Sequence, residues 1–177
     1  MSSRTLVTGF GPFLEVKHNP SARLAAALGR PHQVLEVSYE AADRFLASLD
    51  PDSFDRLVLL GVAASRSHVC IELFARNWRG SAPDVSGVAT SGPIDEGQPL
   101  LVSGSLVPDE LLSTLLVQHS ELRASLDAGS YLCNYTYFRA LQRFGGKRIG
   151  FIHVAPFERI AEPRQVDILK AIIDSVE

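Results

Sequence analysis

The chain has no surplus of positive charge. Its 17 lysines and arginines are outnumbered by 20 acidic residues, so nothing is left over to neutralise phosphates, and a nucleic-acid partner is excluded. It also lacks an apolar run long enough to cross a bilayer, so no membrane partner is expected. Only two cysteines, Cys70 and Cys133, occur in 177 residues. That is too few for a disulfide framework, and both are read as free thiols; a Cys70–Cys133 bridge has no support in the sequence. The five histidines show no spacing typical of zinc ligands, so no metal and no cofactor are assigned. There is no internal repeat and no low-complexity tail. After Met1-Ser2-Ser3-Arg4 the apolar stretch is too short for a signal peptide, which predicts a cytoplasmic protein.

What is present fits one domain spanning residues 1–177, with 46% hydrophobic and 21% charged residues, ordinary values for a single packed core. Short apolar runs alternate with amphipathic stretches. Strands are predicted over residues 6–8, 34–37, 56–62 and 148–154, and an alternating one over 69–74. Helices are predicted over 20–28, 41–49, 109–116, 132–144 and 163–176. Asn19 is a good N-cap, Pro20 suits a first helical turn and Gly29 a stop. Leu57-Val58-Leu59-Leu60 reads as a central strand covered on both faces. The Gly-, Ser- and Pro-rich stretch 77–108 carries few helix signals and reads as loops and short strands near a site. The fold class expected is a three-layer α/β/α sandwich around a twisted, mixed but mainly parallel sheet, with its site beyond the carboxyl ends of the strands.

Three residues carry candidate chemistry. Cys133 follows Gly129-Ser130-Tyr131-Leu132 and falls in the first turn of a helix, where unpaired N–H groups and the helix dipole favour a thiolate and a developing oxyanion. A lone cysteine in such a place is more often a small core residue. His153 interrupts the apolar run Phe151-Ile152-His153-Val154 near the end of its strand. As a base it would take the Cys133 proton and return it to a leaving amine; the competing reading is a core histidine bonded to backbone. Glu72 shares a strand face with Cys70 and Phe74. It either orients His153 or is solvated on a half-exposed strand, and periodicity does not separate the two. Asp84, Asp95 and Glu96 in the long loop are read as solvated, with a cation site as the alternative. Ser65-Arg66-Ser67 either binds an anion or caps a strand end. Gly9-Phe10-Gly11-Pro12 is no phosphate loop, because it lacks the Gly-Lys-Ser/Thr ending and Pro12 has no N–H to give.

Four segments, in order, resemble the pyroglutamyl peptidase I family of cysteine peptidases. They are Thr8-Gly9-Phe10-Gly11-Pro12-Phe13 followed by Asn19-Pro20-Ser21; Glu72 with Ala75 and Asn77; Gly129-Ser130-Tyr131-Leu132-Cys133-Asn134; and Phe151-Ile152-His153-Val154. The resemblance implies a thiol protease that removes an N-terminal pyroglutamyl residue from peptides, through a Cys133, His153 and Glu72 triad and a thioester acyl-enzyme. It implies that Phe10 and Phe13, with Leu132 nearby, wall an apolar slot for the lactam ring, and that the chain assembles as a homotetramer or homodimer.

The chain departs from the family pattern in three places. Val62 stands where a glutamine helps read the lactam. The arginine that assists the oxyanion is missing at Ser81-Ala82-Pro83-Asp84, leaving Arg66 and Arg79 as tentative oxyanion or anion groups. The segment between Gln98 and Pro108 is short. Val62 motivates one alternative, a thiol amidase or esterase with altered acyl specificity. The missing arginine motivates another, a non-catalytic small-molecule binding protein on the same scaffold.

Overall fold

Arg56–Val62 forms β3, whose seven residues are all buried. Its side chains alternate between two cores. Val58, Leu60 and Val62 join one cluster, Leu57 and Leu59 the other. A strand apolar on both sides is stable only where helices cover both faces of its sheet, and burying each such side chain contributes about 1.5–3 kcal/mol. The computed structural model, which describes residues 4–13 and 16–177, builds that sheet from β2(His32–Leu35), β1(Thr5–Phe10), β3, β8(Arg148–Val154), β4(Val69–Glu72) and β7(Leu122–Ser125), in that spatial order. Each neighbouring pair is parallel except β4 with β8, which is antiparallel. A two-stranded ribbon, β5(Phe74–Arg76) with β6(Leu101–Ser103), lies apart from it.

Among the described residues, five α-helices complete the layers. Residues of α1(Pro20–Ala27), α3(Asp109–Gln118) and α5(Glu162–Ser175) pack in the cluster on one face, and those of α2(Tyr39–Ser48) and α4(Leu132–Arg143) in the cluster on the other. The architecture is the α/β/α sandwich with a mixed, mainly parallel sheet that the sequence predicts. Among the described residues, no helix is long and apolar enough to cross a membrane.

Several strands differ from the sequence reading. β1 runs over Thr5–Phe10 rather than 6–8, because it pairs from Thr5 with β3 and as far as Phe10 with β2. β2 begins at His32 rather than Val34 because it pairs with Val7–Phe10 directly after Pro31, and Val37 packs into the core beyond the strand's end. The alternating run over 69–74 does not form one strand. It breaks at Leu73, whose N–H donates to Ser125 and whose carbonyl accepts from Gly104, so Phe74 starts the ribbon instead. β7 has no apolar run in Leu-Arg-Ala-Ser; it is an edge strand recruited by β4.

The Asn19-Pro20-Ser21 segment locks the end of β1. The Asn19 side chain accepts from the Ser21 N–H and hydroxyl and donates to the Gly11 carbonyl, while the Phe10 N–H donates to the Ser21 hydroxyl at 2.9 Å. Gly9 permits this approach, since a Cβ there would stand 2.6 Å from the Ser21 carbonyl carbon and 2.7 Å from Ala22 Cα. Both obstacles are backbone, held by the bonds just named, so neither yields cheaply. Gly9→Ala is expected to destabilise the fold by about 2 kcal/mol, read in urea unfolding as a lower midpoint with an unchanged slope.

Candidate active site

The parallel pairing of β3 with β8 sets Gly61 beside His153, and the antiparallel pairing of β4 with β8 sets Cys70 beside His153 and Glu72 beside Phe151. Residues in register share a face, so Gly61, His153, Cys70 and Glu72 all point toward α4. There His153 Nδ1 lies 2.7 Å from Glu72 Oε1, with both side chains buried. The bond to Glu72 assigns the Nδ1 proton, leaving Nε2 as the atom free to exchange one.

Cys133 reaches the same spot from the other layer. It is the second residue of α4, whose first turn has no side-chain cap, so its leading N–H groups face outward unsatisfied by the helix. A Cβ on Gly61 would stand 2.8 Å from Cys133 Sγ and 2.7 Å from Phe151 Cζ. The sulfur therefore rests on bare β3 backbone next to His153, and only glycine leaves it room. Burial opposes charge on the His153 ring. Cys133, through charge and hydrogen bonding, together with Glu72, outweighs that effect and raises the imidazole's pKa from 6.5 to about 9. Cys70 differs from Cys133: it is buried, donates weakly to the His68 carbonyl at 3.7 Å, and burial pushes its thiol up, with Arg66 acting the other way.

Helix α4 is held by a clamp that the sequence reading quoted in a motif but gave no task. Asn134 is fully buried; its side-chain oxygen accepts from the Arg76 N–H at 2.7 Å and its amide donates to the Arg76 and Trp78 carbonyls, each at 2.8 Å. A polar residue inside an otherwise aromatic helix face was the available signal. Gln165 does similar work beyond His153. It bonds both the N–H and carbonyl of Ala155 and the carbonyl of Ile160, fixing the exit of β8. Its signal was its spacing from Ile168, Leu169 and Ile172, which places an amide in a core stripe.

Phe10, Phe13, Val62, Tyr131, Leu132 and Cys133 together line a narrow apolar slot of about 10 Å³, room for roughly one water. The Phe13 and Tyr131 rings stand 6.4 Å apart, tilted by 37°. The two arginines read as tentative oxyanion groups are engaged elsewhere. Arg66 donates to Glu72 Oε1 at 2.5 Å and to the Asp127 carbonyl at 2.7 Å. Arg79 lies over the Tyr39 and Tyr135 rings, 5.8 Å from each. Neither lines the slot. Of the acidic loop residues, Glu96 is exposed and Asp95 is half-buried, accepting from the Gln142 amide at 2.9 Å, but Asp84 is buried, accepting from the N–H groups of Tyr39, Ser86 and Val88, which secures the start of α2. Among the described residues, no three His, Cys, Asp or Glu side chains gather as a metal site would.

A family model described as pyroglutamyl peptidase matches residues 3–166. The chain is 32% identical to a pyrrolidone-carboxylate peptidase of Saccharolobus islandicus, over 97% of this chain and 88% of that one. It is 28% identical to another from Halalkalibacterium halodurans, over 91% and 88% respectively. The crystal structure of pyrrolidone carboxyl peptidase from Thermus thermophilus matches with a TM-score of 0.85 at 29% identity, covering 97% of this chain and 99% of that one.

The geometry makes the His153 titration depend on its two partners. In Cys133→Ala the leading upward influence is gone while burial still disfavours the imidazolium, so the midpoint is expected to fall by roughly one to two units. The imidazole Cε1–H resonance followed against pH by NMR reads this directly. A midpoint unchanged from wild type would show that the thiol does not act on the ring.

Proposed function

The chain belongs to the pyroglutamyl peptidase family, and on that premise we propose that it is a cysteine peptidase removing the N-terminal pyroglutamyl residue from peptides, with Cys133 as nucleophile, His153 as general base and Glu72 as the acid that orients the imidazole. The observation that carries the assignment is the Cys133 sulfur seated on Gly61 beside an imidazole whose far nitrogen is held by buried Glu72. A substrate carbonyl entering at the start of α4 meets the sulfur and the imidazole, with Glu72 behind the ring.

The Cys133 thiolate attacks the pyroglutamyl carbonyl carbon, and the C=O π electrons move onto oxygen. The unsatisfied N–H groups of the first turn of α4 stabilise that oxyanion electrostatically. Collapse breaks the C–N bond, and the imidazolium gives its proton to the departing amine, leaving a thioester on Cys133. His153 then takes a proton from water, whose oxygen attacks the thioester; the free pyroglutamate leaves and the thiol is restored. Glu72 keeps its bond to Nδ1 and orients the imidazolium that forms in each half.

The apolar slot is the place for the lactam ring. Its walls suit a neutral ring and disfavour the zwitterionic terminus of an ordinary peptide, because a charge there loses its water without gaining a partner. At about 10 Å³ the slot must widen to accept the ring, and the Phe13 and Tyr131 rings are the pair that must part. The reading places the enzyme in the reducing cytoplasm, where Cys133 stays a free thiol, working as a homo-oligomer. Val62 favours one second reading. It offers no side-chain hydrogen bond to the lactam edge, which would shift specificity toward other small apolar acyl groups.

Hydrolysis of a pyroglutamyl fluorogenic amide tests the assignment. Wild type is expected to turn it over, with Cys133→Ser and His153→Ala each lowering kcat/KM by roughly ten-thousand-fold. Wild-type activity no higher than that of the two variants would reject it. Val62→Gln is expected to lower KM for the pyroglutamyl substrate. If it does not, and a panel of other acyl amides is cleaved instead, the second reading holds.

A further inference from the structure

Resting on the reading that Glu72 orients His153 toward Cys133, we infer that Arg66 is a positioning residue that holds the Glu72 carboxylate in place for the imidazole. One carboxylate oxygen carries the whole arrangement. Glu72 Oε1 accepts from His153 Nδ1 at 2.7 Å and from Arg66 Nη1 at 2.5 Å, while Oε2 is buried with no partner among the described residues. The Glu72 side chain has no exposed surface. A buried carboxylate without a cation is costly, and one not held from its far side is free to turn Oε1 away from Nδ1–H.

The guanidinium is itself anchored. Arg66 Nη2 donates to the Asp127 carbonyl at 2.7 Å, and Nη1 also reaches the Ser125 hydroxyl at 3.3 Å. The Asp127 carboxylate in turn accepts from the Gly129 N–H at 2.8 Å, on the approach to Cys133. Arg66 thus joins the loop after β3, the acid of β4 and the segment leading to the nucleophile. The other titratable groups facing Glu72 and His153 are Cys70 on β4 and Cys133 and Tyr137 on α4, with Arg123 of β7 acting on Cys70. The Tyr137 hydroxyl donates to the Glu72 backbone carbonyl at 3.0 Å, not to its carboxylate. Among the described residues, Arg66 is the permanent cation in contact with that carboxylate.

Two pH profiles test this: kcat/KM for the pyroglutamyl amide, and the rate of Cys133 alkylation by iodoacetamide, which needs no lactam recognition. Loss of a nearby positive charge favours the protonated state of every neighbouring group, so in Arg66→Met the rise of both rates with pH is expected to move upward by about one unit. Arg66→Lys, which keeps the charge but not the planar fork, is expected to hold the rise near its wild-type pH and to lower kcat about tenfold with little change in KM. Arg66→Gln keeps a donor without charge and is expected to behave like Arg66→Met, which preserves the test if the methionine variant fails to melt cooperatively. A folded Met or Gln variant whose alkylation profile rises at the wild-type pH, or whose only defect is in KM, overturns the inference. If wild type cleaves no pyroglutamyl amide while the alkylation profile still shifts in these variants, the substrate assignment fails and the role of Arg66 stands.

Discussion

A carboxylate with no exposed surface faces a nearly buried imidazole at 2.7 Å, and neither could occupy its place without the other. An isolated charge in such surroundings would cost several kcal/mol, and an unpaired imidazole N–H would leave a donor unmet. What makes the pair geometrically possible is the single antiparallel neighbour in an otherwise parallel sheet. Because β4 runs against β8, its residue 72 lies beside residue 151 and its carboxylate reaches along the strand to residue 153. The carboxyl end of β8, where a parallel sheet collects its functional groups, thereby acquires an acid from a strand arriving in the opposite direction.

The rest of the site follows from keeping that pair dry and bringing a sulfur to its open side. Helix α4 supplies the sulfur, and its position is set by contacts far from the thiol: Tyr137 and Phe138 fully buried against the sheet, and Asn134 tying the helix to β5. Gly61 completes the fit by what it omits. A methyl group there would displace either the sulfur or the Phe151 ring, which lies tilted 4.8 Å from the imidazole. The Asn19-Pro20-Ser21 lock and Gly9 perform the equivalent task for the slot, fixing the turn from which Phe10 and Phe13 project.

Much of this was legible in the chain. The strands over 56–62 and 148–154 match residue for residue, because buried parallel strands carry continuous apolar runs. Cys133 in the first turn of a helix and His153 near a strand's end also follow from local pattern. The errors fall where pairing, not composition, makes the strand: the edge strand over Leu122–Ser125, the start of β2, and the break at Leu73. Arg66 and Arg79 could be recognised as cations near the site, but nothing local told that one would meet a carboxylate and the other a shelf of two tyrosine rings.

The sequence by itself determined the layer architecture, the register of hydrophobic faces and the residue types available for thiol chemistry, since each is encoded within a window of a few residues by periodicity, caps and turns. Only the tertiary structure decided that Glu72 is buried against His153 rather than solvated, that Cys70 is buried in the core while Cys133 rests on Gly61, and that Arg66 donates to the Glu72 carboxylate. The first joins residues 81 positions apart, and the guanidinium that meets the acid is itself held by a carbonyl 61 positions away. Contacts at such separations arise from which strands become neighbours and in which direction they run, and no local pattern carries that information.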